Sequence, residues 1–131
     1  MALANAPEPV KLRLPARPES VAVARHAASE YAAKVGADAD AVAVAVSETV
    51  TNAIVHAYRG SGDGTVEVRA EPNTTHLNVI VADEGRGMAP NPQSPGLGFG
   101  LSMISSLADE VGIESGKDTG TRLRMRFLLG V

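Results

Sequence analysis

Glu48 and Asn52 stand four residues apart in SETVTN, Asp83 opens the run DEGRG, and Gly96, Gly98 and Gly100 alternate through GLGFG. Each set carries a chemistry. The side-chain oxygen of Asn52 is a hard, neutral ligand that suits Mg²⁺, an ion that keeps waters and takes phosphate oxygens. A carboxylate one helical turn earlier, Glu48, can take a proton from a hydroxyl or water attacking a γ-phosphate. Asp83 follows an apolar run, and a carboxylate there can accept a hydrogen bond from the exocyclic amine of adenine. Gly85 and Gly87 let backbone approach such a ring without interposed Cβ atoms. Glycine-rich backbone at 96–100 feeding a helix N-terminus is a good anion cradle. Taken singly, each set also has a plain structural reading: solvated helix residues, a turn after a strand, a loop before a helix. Taken together and in this order, they describe an ATP pocket.

The common alternatives are excluded by what is missing. No Gly-Lys-Ser/Thr follows the glycines, and Leu101 stands where a dinucleotide fingerprint needs its third glycine. The signatures of the large protein-kinase family are also missing. His26, His56 and His76 fall on different elements, so they give no convergent metal site. His56 continues the row of Glu48 and Asn52 and reads as a packing or hydrogen-bonding residue.

Those side chains need elements to hold them. Val10–Leu14 alternates apolar and basic, which predicts a half-buried strand. A helix is predicted from near Ser20 to about Val35, ended by Gly36. Asp38 or Asp40 can cap a second helix running to Gly60. On that helix Val42, Val46, Val50, Ala53 and Ala57 form the buried stripe, and the Glu48 row is centred about 120° away. Strands are predicted at 65–70, 76–82, 110–114 and 121–129, with a turn at Pro72-Asn73 and a helix at 99–108. Between Asp83 and Gly98 the chain reads as a loop rich in Gly and Pro. The order βααββαββ suits an α+β fold: a two-layer sandwich, its mixed, mostly antiparallel sheet carrying helices on one face.

Length and charge set the outer bounds. The 131 residues fit one domain, with 1–9 as a flexible N-terminus and 10–131 as the folded unit. There is no cysteine, so disulfides and thiolate metal sites are excluded. A net charge of -3 argues against direct nucleic-acid binding. No apolar run nears the roughly 20 residues that span a bilayer. The start lacks a signal-peptide core, so no membrane attachment and a cytoplasmic location are expected. With no Trp, and only 2 Phe and 2 Tyr, the core must be built from Val, Leu, Ile and Ala.

The boxes SETVTNAIVHAY, VADEGRGM and PGLGFGLSMISSLAD resemble the N, G1 and G2 boxes of the GHKL ATPase superfamily, and Gly120-Thr121 resembles its small final box. The resemblance runs from Val10 to the C-terminus and is nearest to the stand-alone anti-sigma factor serine/threonine kinases of bacteria. It implies the Bergerat ATP-binding fold, with ATP and Mg²⁺ as cofactors. Asn52 would coordinate the metal, and Glu48 would be the general base toward a serine or threonine. Asp83 would hold the adenine amine, with Gly85 and Gly87 shaping its surroundings. Gly96, Gly98 and Gly100 would line a phosphate lid, and Thr121 would support the adenine end. The implied partners are a STAS-domain antagonist as substrate and a sigma factor held inactive by a kinase homodimer. Val55 stands where histidine kinases commonly carry a Lys, and no room is expected here for their phosphoacceptor helix pair. A second reading stays open: a nucleotide-gated regulatory module of the same fold, with weak or absent kinase activity and a non-sigma partner. The intact Glu48-Asn52 pair favours the enzyme.

Overall fold

A computed structural model describes residues 7–57, 64–84, 103–116 and 120–130. Strand β1 (Val10–Pro15) leads into helices α1 (Glu19–Val35) and α2 (Ala39–Asn52). A π-helical turn, Ala53–Ala57, continues α2. Strands β2 (Thr65–Pro72), β3 (His76–Asp83), β4 (Glu110–Gly116) and β5 (Gly120–Leu128) follow, with residues 103–107 helical between β3 and β4. The expected βααββαββ order is the observed one. Among the described residues the sheet has the order β1-β2-β3-β5-β4, and all four pairings are antiparallel.

The punctuation explains the boundaries. Ser20 donates its hydroxyl to the Pro15 carbonyl at 2.6 Å, folding the end of β1 onto the first turn of α1. Gly36 closes α1 at φ 90, a left-handed conformation that favours glycine, and its N–H donates to Ala32. Of the two candidate caps for α2, Asp38 is the one used: its carboxylate accepts the Ala41 N–H at 3.1 Å. Asn73 makes the β2–β3 turn, accepting the N–H groups of Thr75 and His76 on one side-chain oxygen.

Period-two burial then sets the layers. Val66, Val68 and Ala70 of β2, Leu77, Val79 and Val81 of β3, and Leu123, Met125 and Phe127 of β5 are buried. Against them lie Ala24, Ala28, Tyr31 and Ala32 of α1 and Val42, Ala45, Val46, Thr49 and Val50 of α2. Six valines are fully buried, each contributing about 1.5–3 kcal/mol relative to exposure. Ile104 is fully buried too, and fixes the short helical segment to the core. The opposite sheet face is polar, with cross-strand pairs Arg124–Glu114 at 3.7 Å and Arg126–Glu110 at 2.5 Å. Exposed pairs of this kind contribute about 0–1 kcal/mol each, so they define a solvated face rather than a second core. The expected two-layer sandwich is therefore the observed arrangement.

Tyr31 reaches out of this core and donates its hydroxyl to the Pro7 carbonyl at 2.9 Å. Burial, and then the negative charge of Glu71, push its phenol above the ordinary value of 10.0. Among the described residues, no helix is long and apolar enough to cross a membrane.

Candidate nucleotide site

Strand β3 carries an apolar residue inward at every second position, and the fourth inward position is Asp83. That register buries a carboxylate to 5% exposure at the end of a central strand. A buried carboxylate is costly unless hydrogen-bonded. Here Thr121, its register partner on β5, donates its backbone N–H to Asp83 Oδ1 at 3.3 Å. Thr121 is itself only 5% exposed. The structure thus brings together two of the residues singled out from the sequence, 38 positions apart in the chain.

Glu48 and Asn52 lie one turn apart at the C-terminal end of α2, both partly buried. Between them Thr49 faces the core, donating to the Ala45 carbonyl at 2.6 Å and lying 3.6 Å from Met125 Sδ. Immediately after Asn52 the helix widens. The Ala53 N–H is shared between the Thr49 and Val50 carbonyls, and the π turn follows. Single π turns inside helices recur at functional sites. This one has a consequence for the expected row: α-helical spacing ends at Asn52, so the i, i+8 arithmetic that placed His56 in line does not carry across the π turn. The His56 side chain lies outside the described ones. The π turn and α2 both pack against β3, the strand that ends in Asp83.

Gly85, Gly87, Gly96, Gly98 and Gly100, and the lid expected around them, lie outside the described residues. His26 pairs with Glu30 at 2.8 Å on α1, and His76 meets the Thr75 hydroxyl at 2.8 Å on β3, so these two remain on separate elements.

A cleft of about 520 Å³ opens at the same end of the sheet, lined by Thr65, Glu67, Arg69, Arg122 and the ends of β3 and β5. Those four residues belong to the outward-facing set, and neither Glu48 nor Asn52 lines the cleft. Asp83 and Thr121 line it as well, so it adjoins the candidate site at their end of the sheet.

One contact went unseen in the sequence. Gly120, at φ 76, packs directly on the Asp83 backbone. In the sequence it stands with Thr121 in the small final box, at the end of the turn-rich segment SGKDTG, with no sign of this contact. A glycine immediately before a strand signals unusual φ, but it does not reveal which strand lies against it.

The comparisons with known proteins point the same way. Residues 14–127 match the family model of the histidine kinase-like ATPase domain. The serine-protein kinase RsbW of Bacillus licheniformis is 31% identical over 138 aligned residues, covering 92% of this chain and 85% of the relative. An anti-sigma F factor of Clostridium acetobutylicum is 32% identical, covering 89% of this chain and 91% of the relative. The crystal structure of the RsbU and RsbW domains of Rv1364c from Mycobacterium tuberculosis superposes with a TM-score of 0.73 at 25% identity, covering 95% of this chain and 34% of that one. The chain belongs to the histidine kinase-like ATPase domain family, alongside the serine-protein kinase RsbW and the anti-sigma F factors.

Proposed function

We propose that this protein is an ATP-dependent serine/threonine protein kinase that acts as an anti-sigma factor, phosphorylating a STAS-domain antagonist and sequestering a sigma factor. Family membership supports the kinase activity and the ATP site. The observation that carries the reading is the pairing of two sites on contacting elements. A Glu and an Asn sit one turn apart at the end of α2, and a buried carboxylate ends the strand against which α2 packs.

The donor set fits the nucleotide and its metal. Asn52 offers a neutral oxygen, which suits Mg²⁺ shared with phosphates rather than a metal caged wholly by protein. Asp83 offers acceptor oxygens, the complement of an adenine amine and a mismatch for the carbonyl at the same place in guanine. When bound, Mg²⁺ neutralises charge on the transferring phosphoryl group. Glu48 is the base that accepts the proton of the substrate serine or threonine hydroxyl. Asn52 positions the metal, and Asp83, steadied by Thr121, positions the base. Gly85 and Gly87 shape the adenine surroundings, and Gly96, Gly98 and Gly100 line the phosphates. A homodimer holding the sigma factor, in the cytoplasm, completes the reading by family resemblance.

The test is direct. The purified protein is incubated with Mg²⁺, γ-labelled ATP and, in turn, each STAS-domain protein of the same genome. The expected result is label on a serine or threonine of one of them, absent with Glu48→Gln. Absence of transfer to every STAS protein, under conditions where ATP binds, overturns the kinase assignment and leaves a nucleotide-gated binding module.

A further inference from the structure

Four glycines, Gly36, Gly112, Gly120 and Gly130, differ sharply in the space around them. A β-carbon at Gly36 or Gly112 would meet its nearest neighbour at 3.5 or 3.6 Å, an ordinary contact, and at Gly130 the approach would be 3.2 Å. At Gly120 the space is already filled. A β-carbon there would overlap the Asp83 carbonyl oxygen and stand 2.9 Å from the Asp83 carbonyl carbon and 3.0 Å from Glu84 Cα. All three obstacles are backbone atoms, so no side chain can rotate aside. The residue also sits at φ 76, where side chains other than that of glycine are strained.

The next residue shows what this closeness achieves. The Thr121 N–H reaches Asp83 Oδ1 at 3.3 Å, already at the long limit for an N–H···O bond. A retreat of β5 to accommodate a β-carbon would stretch it beyond that limit. That bond bears directly on the rotation of the carboxylate, and with it on the plane in which Asp83 accepts.

We infer that Gly120 is a positioning residue for base selection: by letting β5 seat flush on the end of β3, it holds the Asp83 carboxylate in the orientation that reads the exocyclic amine. This rests on the reading of Asp83 as the adenine acceptor. Gly120 touches no substrate in this account. It acts through the Thr121 N–H on Asp83.

The experiment compares dissociation constants for ATP and for purine ribonucleoside triphosphate, which lacks the exocyclic amine, in the full chain. Wild type should favour ATP by about 10–100-fold, the worth of one hydrogen bond to a charged acceptor. Gly120→Ala should shrink that ratio to about threefold or less, chiefly by weakening ATP. A merely structural defect would weaken both nucleotides equally and keep the ratio. Gly112→Ala, whose β-carbon meets only the Arg124 guanidinium, is the control and should leave the ratio unchanged. Should Gly120→Ala fail to fold, an amide-to-ester replacement at residue 121 deletes only the N–H donor and should shrink the ratio likewise. A wild-type ratio near one refutes the Asp83 reading itself. A ratio abolished by Asp83→Asn but preserved in Gly120→Ala or in the ester leaves that reading standing and overturns the role of Gly120.

Discussion

Asp83→Asn is the sharpest test of the candidate site, because the structure fixes what the substitution must lose. Asparagine keeps the shape of the side chain but replaces one of two acceptor oxygens with a donor NH₂. In the structure one carboxylate oxygen accepts the Thr121 N–H. If the amide oxygen keeps that bond, the NH₂ faces the adenine amine. If the amide flips, the NH₂ faces the Thr121 N–H. Either way a donor opposes a donor in a position that is 5% exposed, where water gives little relief. The loss is one hydrogen bond to a charged group, about 1.5–3 kcal/mol, or roughly 10–150-fold in Kd. Calorimetric titration with ATP and with ADP should show the same factor for both, since the two nucleotides share the base. Stability without nucleotide should move little. The substitution removes a buried charge that is costly to desolvate and weakens its charge-assisted hydrogen bonding, and these terms oppose each other. A folded Asp83→Asn protein that binds ATP within about twofold of wild type, or that loses ATP while keeping ADP, would refute the assignment.

The other predictions divide the chemistry from the fold. Glu48→Gln should leave ATP affinity nearly constant while phosphotransfer falls by roughly 10²–10⁴, the range for a positioned general base, as read by single-turnover transfer with a labelled nucleotide. Wild-type transfer by that variant would end the base assignment. Asn52→Ala should abolish the Mg²⁺ dependence of ATP binding as well as activity, so titrations with and without the ion should converge. Tyr31→Phe removes the hydroxyl that Pro7 accepts and should cost about 0.5–1.5 kcal/mol in denaturant unfolding at neutral pH. Burial, and then the charge of Glu71, raise the Tyr31 phenol in the folded state, so the unfolded chain ionises first. The associated stability is complete below the unfolded value near 10.0 and is lost as pH rises through the folded value. Tyr31→Phe should flatten that alkaline decline, and an unchanged slope would count against it.

Much of this architecture was legible because its signals are local. Strand alternation put Leu77, Val79 and Val81 on one face, Gly36 ended α1, and the charge of Asp38 offered a cap three residues ahead of Ala41. The buried stripe of α2 was read correctly at Val42, Val46, Val50 and Ala53, but Ala45 and Thr49 are buried as well. Thr49 escaped because its hydroxyl is satisfied within the helix by the Ala45 carbonyl, which lets a polar residue occupy a core position. The π turn at Ala53–Ala57 also escaped. The sequence AIVHA carries neither proline nor glycine there, and an extra residue in a turn leaves helical composition unchanged. The contacts of Gly120 and Tyr31 were out of reach for a different reason. Each joins residues far apart in the chain, Gly120 to Asp83 and Tyr31 to Pro7, and only the strand order and helix packing bring them together.

The two halves of the proposed site rest on different kinds of support, and this bears on how each would fail. Asp83 ends β3, which is hydrogen-bonded along both edges, to β2 through Val66 and to β5 through Thr121. An acceptor meant to discriminate one base from another must be held to a fraction of an ångström, because hydrogen-bond strength falls steeply with misalignment. A strand paired on both sides supplies that constraint, and a glycine that seats its neighbour flush tightens it. Asn52 ends an α-helix whose next N–H is divided between two carbonyls before the π turn begins. A helix end has fewer fixed backbone partners than a strand paired on both sides. A metal that keeps several waters tolerates such latitude, because its shell can adjust around one protein ligand. Substitutions beside β3 should therefore appear first as lost base selectivity at constant metal dependence. Substitutions at the α2–π junction should appear as altered metal dependence with the preference for adenine intact. A change at either place that moved both properties together would mean that the two halves behave as one rigid unit.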